Sequence, residues 1–526
     1  VAARKLRLAL LALLSLLPLA CIQDDGRRWN PLNYFSEIDE DQERELGMRF
    51  DRELEAQVTV IHDPVVSGFV NDLGQSIVRE IEPQPFVYRF RVIEAPTLNA
   101  FAVPGGYVYL HSATLLEAAS LDEVAGVVGH EIAHVKARHF ARMEEKSQLP
   151  DLLANLAGLA AAVAAGDVAP LVTAQAANVA LKLRFSREFE AEADKLGAIF
   201  MSRAGFEPAG MERFFERILA ERDRHPNEIP PYLYSHPDVE SRISAVRDAA
   251  QTLHPLAPPD PELAPELRDA QARLAYLVQS DRSTLPVTEP ADPSISEPAL
   301  REAQALVKAG HPEKALAVLA KAALREPRDP RVHYAIGELL FEEGRYDGAV
   351  RAYRKTVRID PSRAQVFYRL GMAYKALGDR QRAVYNLEES LRRSGRGVAH
   401  ERAAWEIQKL TFGVVREGGF ADGREGDAAD TPAGFSRNQL RVSDPCFAWW
   451  GRLSPRFAAY AEQVEVRWVD PEGRVRQESA PERKARVYLV SRLALPDPAD
   501  RLPGTWTVET LLDGDVVDRH RIDVTP

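Results

Sequence analysis

His130-Glu131-Ile132-Ala133-His134 sets two imidazoles and a carboxylate at a spacing that can hold and use a metal ion. On a helix, positions i and i+4 share one face, so His130 and His134 can bind a single Zn²⁺. Glu131 stands beside the first histidine, where a carboxylate can act as general base toward water at the ion. Residues Val124 to Val135 carry no charge outside the motif, as a buried active-site helix requires. Catalytic zinc needs a third protein ligand and one open position. One arrangement uses a histidine six residues after the second, with glycine at the third; here those places hold Phe140 and Ala137, which excludes it. His139 falls one residue short and is assigned a structural role. A carboxylate ligand remains, and Ser186-Arg187-Glu188-Phe189-Glu190-Ala191-Glu192-Ala193-Asp194 is its obvious source. Helical spacing pairs Glu190 with Asp194 and equally Glu188 with Glu192, and residue chemistry alone does not choose between the pairs. A solvated acidic helix face is the ordinary reading of such a run.

The chain that must position these groups has 526 residues, enough for three or four domains at roughly 150 residues each. Lys plus Arg total 67 and Asp plus Glu 78, a net charge of −11. That acid excess argues against nucleic acid as a partner, because phosphate binding needs surplus cations. The two cysteines, Cys21 and Cys446, build no disulfide framework and form no C-x-x-C pair. The fold class expected is α+β multidomain. Residues 33–252 read as one mainly helical domain that carries the metal-binding motif, with helices over Asp39–Ala56 and Pro64–Glu80. Alternation in Tyr88–Ile93 and Gly106–Leu110 predicts strands, and helices dominate from Ser120 onward. The apolar region Leu152 to Leu183 is split by Asp167 and Pro170 into stretches of about 15 residues. Two packed helices or a hairpin near the active site fit it better than a transmembrane pair.

Prolines at 255, 258, 259, 261 and 265, and again at 286, 290 and 293, mark 253–296 as a linker around one short helical piece, Glu266–Val278. A period of 34 residues follows: Gly310, Gly344 and Gly378; Ala315, Ala349 and Ala383; Pro327 and Pro361; Gly337 and Gly371. This is the tetratricopeptide period, and 297–412 is assigned as an α-solenoid of such repeats. The small residues are placed where paired helices cross, and Glu401–Leu410 caps the last repeat. A flexible linker, 413–439, leads to a small β domain at 440–526, sandwich-like, with turns at Asp470–Gly473 and Asp513-Gly514.

At the N-terminus Arg4, Lys5 and Arg7 precede an apolar run, Leu8–Ala20, of 13 residues. A bilayer span needs about 20, so residues 1–21 read as a signal peptide. Ala20-Cys21 resembles a lipoprotein cleavage site, making Cys21 the candidate for lipidation and membrane anchoring; ordinary cleavage beside an incidental cysteine is the other reading.

HEIAH together with E-A-E-A-D resembles the CAAX-prenyl-protease-like family of zinc peptidases, which includes HtpX. The resemblance implies a zincin-type domain with one Zn²⁺ per chain. It makes Glu190, four residues before the aspartate, the third ligand, and Asp194 a residue that orients a ligand histidine. Asn99-Ala100-Phe101-Ala102-Val103-Pro104-Gly105-Gly106 is similar to the family's segment upstream of the zinc helix, which forms a sheet edge near the cleft. Asn99, Ala100 and Phe101 would then hold an extended substrate by strand addition; a structural turn into a strand is the competing reading. A peptidase of this family followed by tetratricopeptide repeats looks like its periplasmic BepA type, which acts in outer-membrane protein quality control. That resemblance covers roughly Asn33 to Arg393 and leaves the β domain outside. Ser235-His236-Pro237 with Glu240-Ser241-Arg242 resembles a segment of that type whose histidine can occupy the open metal position and keep the enzyme latent. His236 is thus a candidate regulatory ligand, or else a plain helix-start histidine. The resemblance implies a metalloendopeptidase of the periplasm or cell envelope that cleaves misfolded or stalled envelope proteins and binds protein partners through its repeats. The alternative is a non-catalytic assembly factor or chaperone using the repeats as scaffold; the complete motif argues against it, since a purely structural site has no use for Glu131.

Overall fold

A computed structural model describes residues 39–81, 85–143, 185–224, 230–279, 293–395, 397–422, 439–444, 446–483, 488–497 and 500–526. Residues 1–21 with Cys21, the apolar region 152–183, and residues 423–438 of the expected linker lie outside the described residues. Two compact units divide the chain at Phe412/Gly413.

In the first unit, helix α1 (Glu40–Glu55) starts where Asp39 and Gln42 satisfy each other's exposed N–H groups in a capping box. Helix α2 (Pro64–Val78) follows, capped by Asp63 with proline at its first position. Strands β1 (Arg89–Ile93), β2 (Ala100–Val103) and β3 (Tyr107–His111) form a sheet in the order β1-β3-β2. β1 runs parallel to β3, and β2 pairs antiparallel with it, Ala102 opposite Val108. β2 is therefore an edge strand. After a short α3 (Ser112–Glu117), helix α4 (Leu121–Lys136) carries the H-E-x-x-H motif, with Ser120 accepting from the Glu123 N–H at its start. Helices α5 (His139–Met143), α6 (Arg187–Arg203), α7 (Ala209–Arg224), α8 (Tyr232–Ser235) and α9 (Val239–Thr252) complete the surroundings of the motif.

The approach of α4 to α6 is set by two glycines. A Cβ on Gly197 would lie 3.1 Å from the backbone of Gly129, and a Cβ on Gly129 would lie 3.1 Å from Met201 Cγ. Both distances are tighter than ordinary contacts, so a side chain at either position would require the neighbour to shift by a few tenths of an ångström. Around the contact, Val124, Val127, Val128, Ile132, Ala193, Met201, Phe214 and Phe215 are buried in one apolar core.

One expectation is corrected here. The helical piece expected at Glu266–Val278 is present as helix α10 (Leu263–Gln279), but it packs into that apolar core instead of standing in a linker. Its Leu263, Leu267, Ala270 and Leu274 are buried in the same core as α2 and α4. The flanking prolines punctuate the chain, but an apolar stripe at spacings of three and four outweighs them.

The repeats follow as helices α11 (Pro293–Lys308), α12 (Pro312–Arg325), α13 (Pro330–Glu342), α14 (Tyr346–Ile359), α15 (Ala364–Ala376) and α16 (Arg380–Arg393), with α17 (Val398–Phe412) after them. Gly337 and Gly371 lie at crossings as anticipated, their absent Cβ positions overlapping Tyr353 and Leu387. Gly310, Gly344 and Gly378 do not: their φ values of 75°, 73° and 77° end a helix in the left-handed conformation, and nothing lies near them. The same 34-residue period thus carries a packing requirement in one series and a turn requirement in another.

Helix α16 lies against β1. Gln381 accepts from the Tyr88 N–H (2.7 Å) and donates to Phe86 O (3.1 Å). Glu388 pairs with buried Arg89 (2.6 Å) and Arg91 (3.2 Å). On α14, Arg354 pairs with Asp72 of α2 and Glu266 of α10, each at 2.9 Å.

The described residues of the second unit are mainly β, with one 3-10 helical stretch at Pro455–Gln463. Part of the expected linker is in fact strand β4 (Val415–Asp422). Its Gly418 and Gly419 hide the alternation, and Gly418 leaves room for the Trp449 indole and His520. Strands β5 (Gln439–Arg441), β6 (Cys446–Leu453), β7 (Val464–Val469), β8 (Val475–Ser479), β9 (Glu482–Arg483), β10 (Tyr488–Ala494), β11 (Gly504–Leu512) and β12 (Asp515–Thr525) complete two sheets. Their orders are β4-β6-β10-β9 and β5-β12-β11-β7-β8. The sheets meet through Phe447 against Trp506 and through Trp468 Nε1 donating to Ser491 Oγ at 2.9 Å. The chain is thus an α+β multidomain protein, mainly helical, with a C-terminal sheet region.

Burial alone would raise the Glu388 carboxyl, but Arg89 and Arg91 outweigh it and hold it at about 2. Because that lies below the unfolded value of about 4.3, the interaction stabilises fully above pH ~4.3 and is lost as pH falls toward 2. Glu388→Gln should cost about 3 kcal/mol at pH 7, the low end for a broken buried pair because Glu388 is partly exposed. In urea titrations, the gap between wild type and variant should close as pH is lowered through that window.

Candidate active site

Helix α4 presents His130, Glu131 and His134 into the core, and all three are buried. Helix α6 begins at Ser186, whose hydroxyl accepts from the Phe189 N–H, and brings Glu190 and Asp194 to the same face one turn apart. His236 ends α8 and is fully buried, its ring stacked on Tyr232 with centroids 4.4 Å apart.

One donor atom from each of His130, His134, Glu190 and His236 can be chosen so that all lie within 4.8 Å of one another. His134 Nε2 is 3.0 Å from His130 Nε2, and His236 Nδ1 is 3.3 Å from His130 Nε2. Glu190 Oε1 is 3.0 Å from His236 Nδ1 and 3.4 Å from His134 Nε2. Ligands 2.0–2.1 Å from a tetrahedral ion stand about 3.3–3.4 Å apart, so these spacings fit such an ion. The second nitrogens of the motif histidines are engaged elsewhere: His130 Nδ1 lies 2.9 Å from Asp194 Oδ1, and His134 Nδ1 lies 2.8 Å from His139 Nδ1. The Nε2 atoms of both rings face the same point, where two protonated nitrogens 3.0 Å apart would repel and two lone pairs would attract a cation.

The electrostatics agree. Burial holds the His134 imidazole well below its ordinary pKa, keeping it neutral. Burial pushes Glu190 up, but His236 and Arg242 outweigh it and hold the carboxyl well below the usual range. Asp194 is pulled down against burial by Arg242 and His130. Glu131 moves the other way, raised chiefly by burial, and neither of its oxygens has a hydrogen-bond partner among the described residues. Its Oε1 lies 3.5 Å from His236 Nε2. An unpartnered, desolvated carboxylate beside a cation site is poised to accept a proton.

The structure separates the acidic pairs that spacing left open. Glu190 and Asp194 are buried at the histidines, whereas Glu188 is exposed and Glu192 sits at the rim, 3.3 Å from His139 Nε2 and 2.8 Å from Arg142. The Asn99 backbone is held by Thr114 Oγ1 on both its N–H and its C=O; Ala100 and Phe101 lie in the edge strand β2, and their side chains are buried. Sequence reasoning missed the role of Arg242. Its guanidinium forms a fork with Asp194, at 2.7 Å to each oxygen, also pairs with Glu190, and lies over the Phe215 ring. A lone arginine in an ordinary helix gives no signal; two carboxylates too many for the metal site were the only hint.

With this geometry in place, comparison with known proteins is informative. Residues 68–250 match the model of peptidase family M48, and residues 300–364 and 365–393 match tetratricopeptide repeat models. The chain carries an M48 metallopeptidase domain followed by tetratricopeptide repeats, and an M48 domain implies a divalent metal. An Escherichia coli K12 protein named beta-barrel assembly-enhancing protease is 30% identical over 249 residues, 46% of this chain and 50% of that one. A Vibrio cholerae relative bearing a provisional form of the same name is 37% identical over 244 residues, 45% of this chain and 49% of that one. The mitochondrial metalloendopeptidase OMA1 of Schizosaccharomyces pombe is 33% identical over 161 residues, 31% of this chain and 46% of that one. The chain spans about half the length of the first two relatives.

Arg242→Met would leave Glu190 and Asp194 buried without their cation. Metal-free protein should lose about 3–5 kcal/mol in urea unfolding. Divalent metal should recover part of that loss, because it would neutralise Glu190, one of the two carboxylates left without their arginine.

Proposed function

We propose that this protein is a zinc-dependent endopeptidase of the cell envelope that cleaves misfolded or stalled envelope proteins, and that His236 keeps it latent. The observation that carries the reading is the convergence of His130, His134, Glu190 and His236 beside an unpartnered Glu131. His130, His134 and Glu190 would hold Zn²⁺, one per chain. Bound there, zinc supplies a Lewis acid for the scissile carbonyl and lowers the pKa of water toward 7. Glu131 takes the proton of the attacking water and returns it to the leaving amine. Asp194 and Arg242 keep the His130 ring and the Glu190 carboxylate in place throughout. The edge strand β2 offers main-chain groups to an extended substrate, with Asn99, Ala100 and Phe101 at its start.

Latency rests on place: His236 fills the fourth corner with Nδ1 and turns Nε2 toward Glu131, so it occupies the space that water and a carbonyl need. The repeats would bind partner proteins, as their kind does. Envelope location is supported by the signal-like N-terminus, by Cys21 as a lipidation candidate, and by relatives named for beta-barrel assembly. Among the described residues no helix is long and apolar enough to cross a membrane.

In the His236→Ala background, Glu131→Gln should leave zinc binding unchanged yet cut an unfolded casein-type substrate at least about a hundredfold more slowly, within the range general-base catalysis supplies. Cleavage at the rate of His236→Ala alone would refute the mechanism. His236→Ala should raise cleavage at unchanged zinc content; if both proteins bind zinc and neither cleaves, the repeats act as a scaffold instead.

A further inference from the structure

His139 is buried, is no ligand to the proposed ion, and is left unused by the mechanism above. Its Nδ1 lies 2.8 Å from His134 Nδ1 and its Nε2 lies 3.3 Å from Glu192 Oε2. Glu192 in turn accepts from Arg142 at 2.8 Å. Two ring nitrogens at that separation share one proton, so one is a donor and the other a lone pair. The far end fixes which. A carboxylate held by an arginine only accepts, so His139 Nε2 must carry the proton. A neutral imidazole has one N–H, which leaves His139 Nδ1 as a lone pair. His134 Nδ1 must therefore donate, and its lone pair stands on Nε2, toward the ion. The other motif histidine reaches the same state in one step, through Asp194.

We propose that His139 is a positioning residue for the metal ligand His134: together with Glu192 it forms an imidazole-extended outer shell that fixes the ligand's tautomer and orientation. The assignment rests on the metallopeptidase reading and goes beyond it. His139 is also stacked on Phe189, with centroids 4.4 Å apart and planes 11° apart, so packing is the role to be distinguished.

Substitution separates the two. His139→Phe keeps an aromatic ring for Phe189 and removes the acceptor; His139→Asn loses the ring but keeps an acceptor near the place of Nδ1. Zinc affinity, measured by competition with a chromogenic chelator, should fall about 10–100-fold in His139→Phe, the usual loss for an outer-shell partner. His139→Asn should stay within about threefold of wild type. The reverse order would assign His139 to packing and overturn the proposal, as would wild-type affinity in both variants. Should His139→Phe fail to fold, ¹⁵N-histidine spectra of the zinc-loaded wild type decide: protons on His134 Nδ1 and His139 Nε2 support the proposal, and the opposite tautomers overturn it. If the wild type binds no zinc, the metallopeptidase reading itself fails, which is a distinct result.

Discussion

Nitrogen lone pairs and a carboxylate, all on buried side chains, converge on one point, and the rest of the peptidase domain answers to that constraint. Such a cluster is unfavourable without positive charge at its centre, because buried acceptors facing each other repel. Each donor is therefore held from behind. Asp194 takes the second proton position of His130, His139 that of His134, and Arg242 grips the carboxylates of α6. The helices that carry these groups also pack closely, and Gly129 and Gly197 at their contact keep that approach free of strain. Chemistry at the centre and packing at the helix contact are one requirement seen at two places.

The three-stranded sheet ties this centre to the repeats. Its β2 edge packs beside α4, while β1 at the opposite margin meets α16 through Gln381 and Glu388. Helix α2 is gripped on the same side, by Arg354 and Arg382 through Asp72 and by Tyr385 through Ser67. α14 and α16, the second helices of their pairs, thus make the ionic contacts with the peptidase core. A buried arginine pair sharing one glutamate is a costly way to join two surfaces unless the geometry is kept. The arrangement fits a fixed mount better than a swivelling one.

What could be read from the sequence follows how local the physics is. H-E-x-x-H needs only helical spacing, so its three residues stood out as candidates at once, and the 34-residue period exposed the repeats. Choosing Glu190 over Glu188 required knowing which helix face meets α4, a tertiary fact that spacing cannot supply; the family resemblance supplied it. Arg242 and His139 were hidden because each acts through a neighbour distant in the chain. The same limit misplaced 263–279: prolines are read residue by residue, whereas the value of Leu263, Leu267 and Leu274 depends on a core assembled from residues 60 to 250. Strand β4 escaped notice because Gly418, needed to clear Trp449 and His520, and Gly419 erase alternation.

Charge balance points to the valence of the ion the site suits. Glu131, Glu190 and Asp194 bring three buried carboxylates together, and Arg242 is the guanidinium that meets two of them. A divalent cation beside these carboxylates would offset more of their charge than a monovalent one, with Arg242 meeting Glu190 and Asp194 from the other side. The behaviour of His236 expresses the same imbalance. Burial should strip its proton, yet Glu190 and Glu131 pull hard enough to raise its pKa above the ordinary value. A proton on that ring and a metal ion at the centre are thus competing answers to one electrostatic demand. The ion answers it more fully, because it meets the lone pairs of His130 and His134 as well as the carboxylates.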